Sequence, residues 1–224
     1  RAFGLVLVTT AAVLALAAPA LAKTIPLYTY TGKYYDGFGS SSGTLAFGSD
    51  VAVDQTTHYA YVTDPGRNDV SKFDPDGKPA AFSALEGKTS LEDVGAESVQ
   101  KLKVDNSPTA SQGDILILDA QSVIHGYRPD GLPIGKSFPI GGLRRACSIA
   151  VDMEGDIWGV EVFRSKIVEY DSSGAPTGRE ISFPPVVIGL QNSECDLAID
   201  SNDNFYLSIY GYANPEAEAG YAKK

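Results

Sequence analysis

Basic residues are in short supply in this chain. Its 224 residues carry 18 Lys and Arg against 28 Asp and Glu, for a net charge of -10. That balance excludes a nucleic-acid backbone as partner, because such a partner requires a basic surface. The acidity itself reads as solubility, with a cation-binding or basic-partner face as the alternative. Histidine is almost absent, with only His58 and His125. The two fall at different places in the repeat described below, so they do not form one metal or base set. Cysteine is limited to Cys147 and Cys195. No nucleophile–base spacing stands out, so the sequence assigns no catalytic residue, no metal and no cofactor. What the chain has in quantity is glycine (23) and tyrosine (12), which suit β-structure with many tight turns.

Residues 1–22 form a charged start, an apolar run and the small-residue end Ala20-Leu21-Ala22. That is the pattern of a secretory signal peptide, with Lys23 as the mature terminus. An uncleaved anchor is the alternative, since residues 2–22 are just long enough to span a bilayer. Export to the extracellular space or cell surface follows on either reading. No membrane association is expected beyond that segment.

The rest of the chain repeats. Four short apolar strands end in Asp54, Asp105, Asp152 and Asp200, at steps of 51, 47 and 48 residues. Each is followed by an Asp/Asn/Gly turn and a second strand (59–63, 115–118, 157–160, 205–209). Third strands are expected at 70–73, 123–127 and 167–170. They end in the hairpin turns Asp74-Pro75-Asp76-Gly77, Arg128-Pro129-Asp130-Gly131 and Asp171-Ser172-Ser173-Gly174. Weaker fourth strands are expected at 80–85, 135–139 and 179–183. Antiparallel units of four strands at this period predict an all-β chain built as a β-propeller. A blade cannot bury both faces alone, which explains inner strands that are apolar on both sides.

The stretch from Val51 to Pro79, VAVDQTTHYAYVTDPGRNDVSKFDPDGKP, resembles an NHL repeat. The inner strand ends in Val-Asp. A Tyr-Val-x-Asp strand, a Gly-Arg-Asn turn and a Phe-Asp-x-x-Gly-Lys hairpin follow it. The unit at 149–176 is a good match, and those beginning at Leu102 and Leu197 are looser. The glycine pair of kelch blades and the Trp-Asp ending of WD40 blades are missing. The resemblance covers residues 27–212 and implies a propeller of about six four-stranded blades. About three and a half to four are present: three full units, half of a fourth, and a hairpin at 27–38. The expected organisation is therefore a signal peptide (1–22), a partial NHL-type propeller (23–213) and a polar tail or truncated strand (214–224). The chain reads as a fragment of a longer gene product. Its hairpin is expected beside the Val51 unit in an open arc, not against 205–209 in a closed ring. At full length the protein is expected to be a monomer.

The resemblance implies either a binding platform or an enzyme with its site at the central channel. The four repeat Asp residues invite a metal reading, but repetition in every unit is what a fold requirement predicts, and Asp caps turns. The turn at 200–204 lacks the offset, the Gly and the distal Glu of a calcium loop and reads as a solvated strand turn, and the turn at 152–156 reads the same way. Loops entering inner strands, and loops joining second to third strands, share one face. That face collects the candidate binding residues Arg67, Asp69, Arg144, Arg145, Glu161, Arg164 and Glu194, with Asp50 and Asp196. Arginine forks there suit carboxylates or acidic partners. A long insertion, 86–101, lies on the same face with a short helix expected over 90–99. The preferred reading is an unidentified protein or glycan as ligand. Cys147 and Cys195 each stand five residues before a repeat Asp, at equivalent positions of adjacent units. In an exported chain they form either a bridge stapling two blades or a pair of buried thiols.

Overall fold

The sheets assemble as the repeat predicts: the second strands of the first three units are mainly apolar and buried on both faces. The structure, a computed structural model, describes residues 39–40, 43–44, 50–92, 94, 99–135, 137–140, 146–183, 194–210 and 221–223. All of these belong to the unit Tyr35–Lys224. The hairpin expected at 27–38 and the signal segment lie outside the described residues.

A small antiparallel pair comes first, β1 (Gly39–Ser40) with β2 (Gly43–Thr44). Blade one is β3 (Val51–Val53), β4 (Ala60–Asp64), β5 (Asp69–Phe73) and β6 (Ser90–Leu91). Blade two is β7 (Val99–Val104), β8 (Ile115–Asp119), β9 (Val123–Tyr127) and β10 (Phe138–Pro139). Blade three is β11 (Ile149–Val151), β12 (Ile157–Glu161), β13 (Lys166–Tyr170) and β14 (Pro176–Ser182). The fourth sheet has three strands, β15 (Glu194–Ile199), β16 (Phe205–Tyr210) and β17 (Tyr221–Lys223). Every sheet is an antiparallel meander with its first strand at one edge, and β3, β7, β11 and β15 lie next to one another in that order. A single 3-10 turn, Val162–Arg164, is the only helical element among the described residues, and no helix there is long and apolar enough to cross a membrane.

The core lies between blades, because successive side chains of a strand point to opposite faces. Ile115 and Ile117 face blade one, where they join Tyr61, Val70 and Leu102. Leu116 and Leu118, on the other face of β8, join Ile149, Ile157 and Tyr170 of blade three. Trp158 and Val160 in turn meet Cys195, Leu197 and Phe205 of the fourth sheet. Cys147 and Cys195 are joined by a disulfide, with Cα atoms 5.6 Å apart.

The strand-ending aspartates cap their turns. Asp54 Oδ1 accepts from the backbone N–H of Thr56 at 2.8 Å and of Thr57 at 3.1 Å. Asp105 accepts from Ser107 N–H at 2.8 Å, Asp152 from Glu154 and Asp156, and Asp200 from Asn202 and Asn204.

Two expectations are corrected. The fourth strand of blade one is Ser90–Leu91, not 80–85. After the hairpin the chain leaves the sheet, so that Phe82, 0% exposed, reaches the core between blades one and two. Glu86 and Gly87, both with positive φ, then reverse it. The helix expected over 90–99 gives way to β6 at one end and the start of β7 at the other. Within the stretch expected as a polar tail or truncated strand, 214–224, the described residues form a strand. Tyr221–Lys223 pairs with β16, Phe205 opposite Lys223 and Leu207 opposite Tyr221, and so occupies the edge that a ring-closing hairpin would have used.

Candidate functional site

In blades one to three the turn after the second strand is built on a buried acid. Asp64 ends β4 with its side chain fully buried, and Arg67 Nε lies 3.8 Å from its Oδ2. Glu161 ends β12 in the same position of blade three and receives Arg164 Nη1 at 2.9 Å. In both blades the arginine stands three residues after the acid, where one tight turn brings it back over the strand end. Burial holds the carboxylate still, and the arginine fork stays on the surface. The Arg164 side chain is 53% exposed, while that of Glu161 is 3% exposed. Tyr170 O–H donates to the second Glu161 oxygen at 3.4 Å, which fixes the carboxylate from below. A planar guanidinium fixed at one end keeps its remaining N–H groups aimed outward, a geometry suited to bidentate capture of a carboxylate.

The remaining candidates separate into other roles. Asp69 opens β5 directly opposite Asp64, and it is 4% exposed. Burial first, then the Asp64 charge, pushes its pKa up, and the nearby Arg67 works against them. Its Oδ1 has no hydrogen-bond partner among the described residues. Asp69 therefore belongs beneath the surface. Asp50 and Asp196 tie inner strands together. Asp50 Oδ2 accepts from Leu102 N–H at 2.9 Å, and Asp196 Oδ1 accepts from Ser148 O–H at 2.9 Å and Lys103 Nζ at 3.0 Å. Ser148 Oγ also accepts from Leu197 N–H at 3.1 Å. The residue just before one inner strand thus holds the backbone of the next, once between blades one and two and once between three and four. Glu194 opens β15 opposite Tyr210. Arg144 and Arg145 lie outside the described residues.

Blade two replaces the arginine with a chain that sequence reading misses. Asp119, the equivalent of Asp64 and Glu161, takes His125 Nε2 at 3.0 Å on its Oδ2, and its Oδ1 caps the turn N–H groups of Gln121 and Val123. Ser137 Oγ lies 2.8 Å from His125 Nδ1. A carboxylate only accepts, so Nε2 carries a proton, and in the neutral ring Nδ1 then accepts from Ser137 O–H. His125 and Asp119 are buried, and Ser137 is exposed. A Ser–His–Asp chain of this kind bolts three strands together, and it is also the arrangement that activates a nucleophilic serine. The three residues lie on three different strands, β8, β9 and the entry to β10. Only knowledge of the β9–β10 register, Phe138 opposite Ile124, would have brought them together. His58 is elsewhere, in the exposed β3–β4 turn with φ 61.

Asp152, Asp156 and Glu169 bring carboxylate oxygens within 4.8 Å of one another. Two of the three are already engaged. Asp152 takes the indole N–H of Trp158 at 2.7 Å as well as its turn, and Glu169 takes Thr177 O–H and Arg179 Nη1. Arg179 also lies over the Trp158 ring, 5.3 Å from its centroid. Burial, then the charges of Asp152 and Glu169, raise the pKa of Asp156. The group is a hydrogen-bonded collar around Trp158.

No family model matches the chain, and no characterised relative matches it by sequence. Solved structures match by fold. A streptogramin B lyase is 16% identical at a TM-score of 0.50, over 79% of this chain and 53% of that one. Virginiamycin B lyase from Staphylococcus aureus is 16% identical at 0.51, over 77% and 57%. A nidogen/laminin complex gives 17% and 0.50, over 73% and 57%. The chain spans about half the length of these solved chains. At such identities the likeness concerns fold alone, and with the four-stranded sheets described above it shows a β-propeller.

Proposed function

We propose that the chain is part of an exported, NHL-type propeller whose loop face binds a carboxylate-bearing partner, an acidic protein segment or acidic glycan. The observation that carries this is the Glu161–Arg164 bracket, in which a buried acid steadies an exposed guanidinium; blade one repeats the acid–arginine pair more loosely in Asp64–Arg67, with Nε 3.8 Å away and the Arg67 side chain 29% exposed. Repetition at one height of the fold makes a multivalent surface, which suits a repetitive polyanion better than a single small ligand. Export is supported by the N-terminal segment and by the disulfide, which persists in oxidising compartments. The test is retention of the chain on immobilised poly-glutamate and polygalacturonate. Arg67→Glu with Arg164→Glu is expected to abolish retention and to leave the far-UV spectrum unchanged. Equal retention of wild type and double variant would count against this function.

A second reading, a hydrolase, is favoured by the Ser137–His125–Asp119 chain. On this reading Ser137 Oγ adds to an ester carbonyl as its proton passes to His125 Nδ1. The proton then leaves with the alcohol, and water releases the acyl group by the reverse path. A fluorophosphonate probe tests it. Labelling at Ser137 that disappears in His125→Gln supports an enzyme, and an unlabelled serine leaves the network purely structural.

A further inference from the structure

The arginine brackets follow the second strands. At the other end of those same strands, where the first-to-second-strand turns lie, blades two and three enclose a cleft of about 320 Å³. This is at the small end of the range of ligand cavities, ~300–1,000 Å³. Leu116, Ile134, Phe138 and Ile157 supply apolar walls, and Asp105 and Asp114 supply charge. The two acids differ in what they have left to offer. Asp105 is buried and caps its own turn through Ser107 N–H. Asp114 immediately precedes β8 and is half-buried; its carboxylate closes no hydrogen bond or ion pair among the described residues. Burial, then the neighbouring Asp105 charge, lifts its pKa to about 6; Arg128 opposes this and Asp130 adds to it.

An unpaired carboxylate beside two further acids, on apolar walls, selects for a positive charge. A hard divalent metal requires several oxygen ligands at once, which one uncommitted carboxylate does not provide. An organic ammonium requires one carboxylate and an apolar bed for its body. We propose that the cleft between blades two and three is a binding site for a small organic ammonium. Its charged group rests on Asp114 and its apolar body lies against Ile134, Phe138 and Ile157. This site is independent of the loop face and of the Ser137 chain.

The probes are phenethylammonium and its uncharged analogue 2-phenylethanol, titrated into the 224-residue chain and followed by backbone amide NMR. Near neutral pH the amine is expected to shift the amides of Gly126, Gly135 and Gly155, which line the cleft, and to bind more tightly than the alcohol. Asp114→Asn should weaken the amine about tenfold, the scale of one charge-assisted hydrogen bond, and leave the alcohol unchanged. A second arm requires no substitution. Lowering the pH from neutral to about 5 protonates a carboxyl of this kind and should weaken the amine about tenfold in the wild-type chain. Equal binding of amine and alcohol would overturn the proposal. So would an amine affinity indifferent to both pH and Asp114→Asn, or no shift of cleft amides at about 20 mM amine, beyond the millimolar range of such contacts.

Discussion

Asp152 carries more of blade three than a turn residue ordinarily does, since one carboxylate serves two turn N–H groups and the buried Trp158 indole. Asp152→Ala strands all three donors, and the indole is 2% exposed, so water cannot replace its partner. The expected loss is about 3 kcal/mol in urea unfolding, against about 1 for Asp152→Asn, which keeps an acceptor for the turn. Two other aspartates set opposite pH slopes. Asp114, raised to about 6, binds a proton more readily folded than unfolded. Its contribution therefore falls as pH rises from the ordinary carboxylate range through about 6. Asp200 is lowered to about 2 by Asn204, through its side chain and its backbone, and by Asn202 N–H. Its contribution is present above the ordinary range and is lost as pH falls through about 2. Chemical denaturation across pH should therefore show a neutral-side decline that Asp114→Asn flattens and an acid-side decline that Asp200→Asn flattens; unchanged slopes in either variant would refute that assignment. At this scale the sequence was legible where a residue acts on its own turn, as the four capping aspartates do. It was not legible where a residue acts across strands. Asp50 holding Leu102, or Ser137 meeting His125, depends on register, which no local pattern records.

At the scale of elements, the hairpin between third and fourth strands is the piece that locks blades together. Gly174 has φ +86, and a Cβ there would lie 2.2 Å from the Phe138 ring of the preceding blade. Gly131 stands in the same relation to Phe82 and Leu85 of blade one. Gly178 makes a natural control, with φ +88 and nothing within 4 Å of its absent Cβ. Gly178→Ala is expected to cost about 1–2 kcal/mol, the backbone term alone. Gly174→Ala should cost about 2 kcal/mol more, because the ring must move out of a packed interface. A double-mutant cycle with Phe138→Ala should recover most of that excess, and additivity of the two changes would refute the wedge. The second and third strands could be placed from sequence because they are apolar over several residues. The fourth strand of blade one could not, because a two-residue strand has no periodicity to read, whereas β10 of blade two falls within the expected 135–139. Phe82 falls within the expected 80–85 strand, but it leaves the sheet and packs into the core between blades one and two.

Across the whole described molecule, adjacent blades share cores, but the joints are not alike. Blades one and two are held by Asp50 on Leu102, by Asn106 on Val53, and by Lys72, whose ammonium sits 4.4 Å over the Tyr59 ring and donates to Pro129 O. Blade three and the fourth sheet have the Ser148–Leu197 hydrogen bond, the edge-on contact of Trp158 with Phe205 at 4.8 Å, and the Cys147–Cys195 bridge. The fourth sheet has a neighbouring blade on one described side only, and the bridge adds a covalent restraint to that joint. Closing a loop with a sequence separation of 48 residues removes unfolded-state entropy worth on the order of 4 kcal/mol. Reduction should therefore lower the thermal midpoint and do so unevenly. Amide exchange of β15 and β16 should rise to the rate of local opening, while β8 and β12, buried between blades, keep their protection. Cys147→Ser and Cys195→Ser should each reproduce the reduced behaviour, and the double substitution should add nothing to either. A midpoint that is the same with and without reductant, or exchange that rises equally in β8 and β15, would mean that the four sheets unfold as one unit and that packing, not the bridge, joins the last of them.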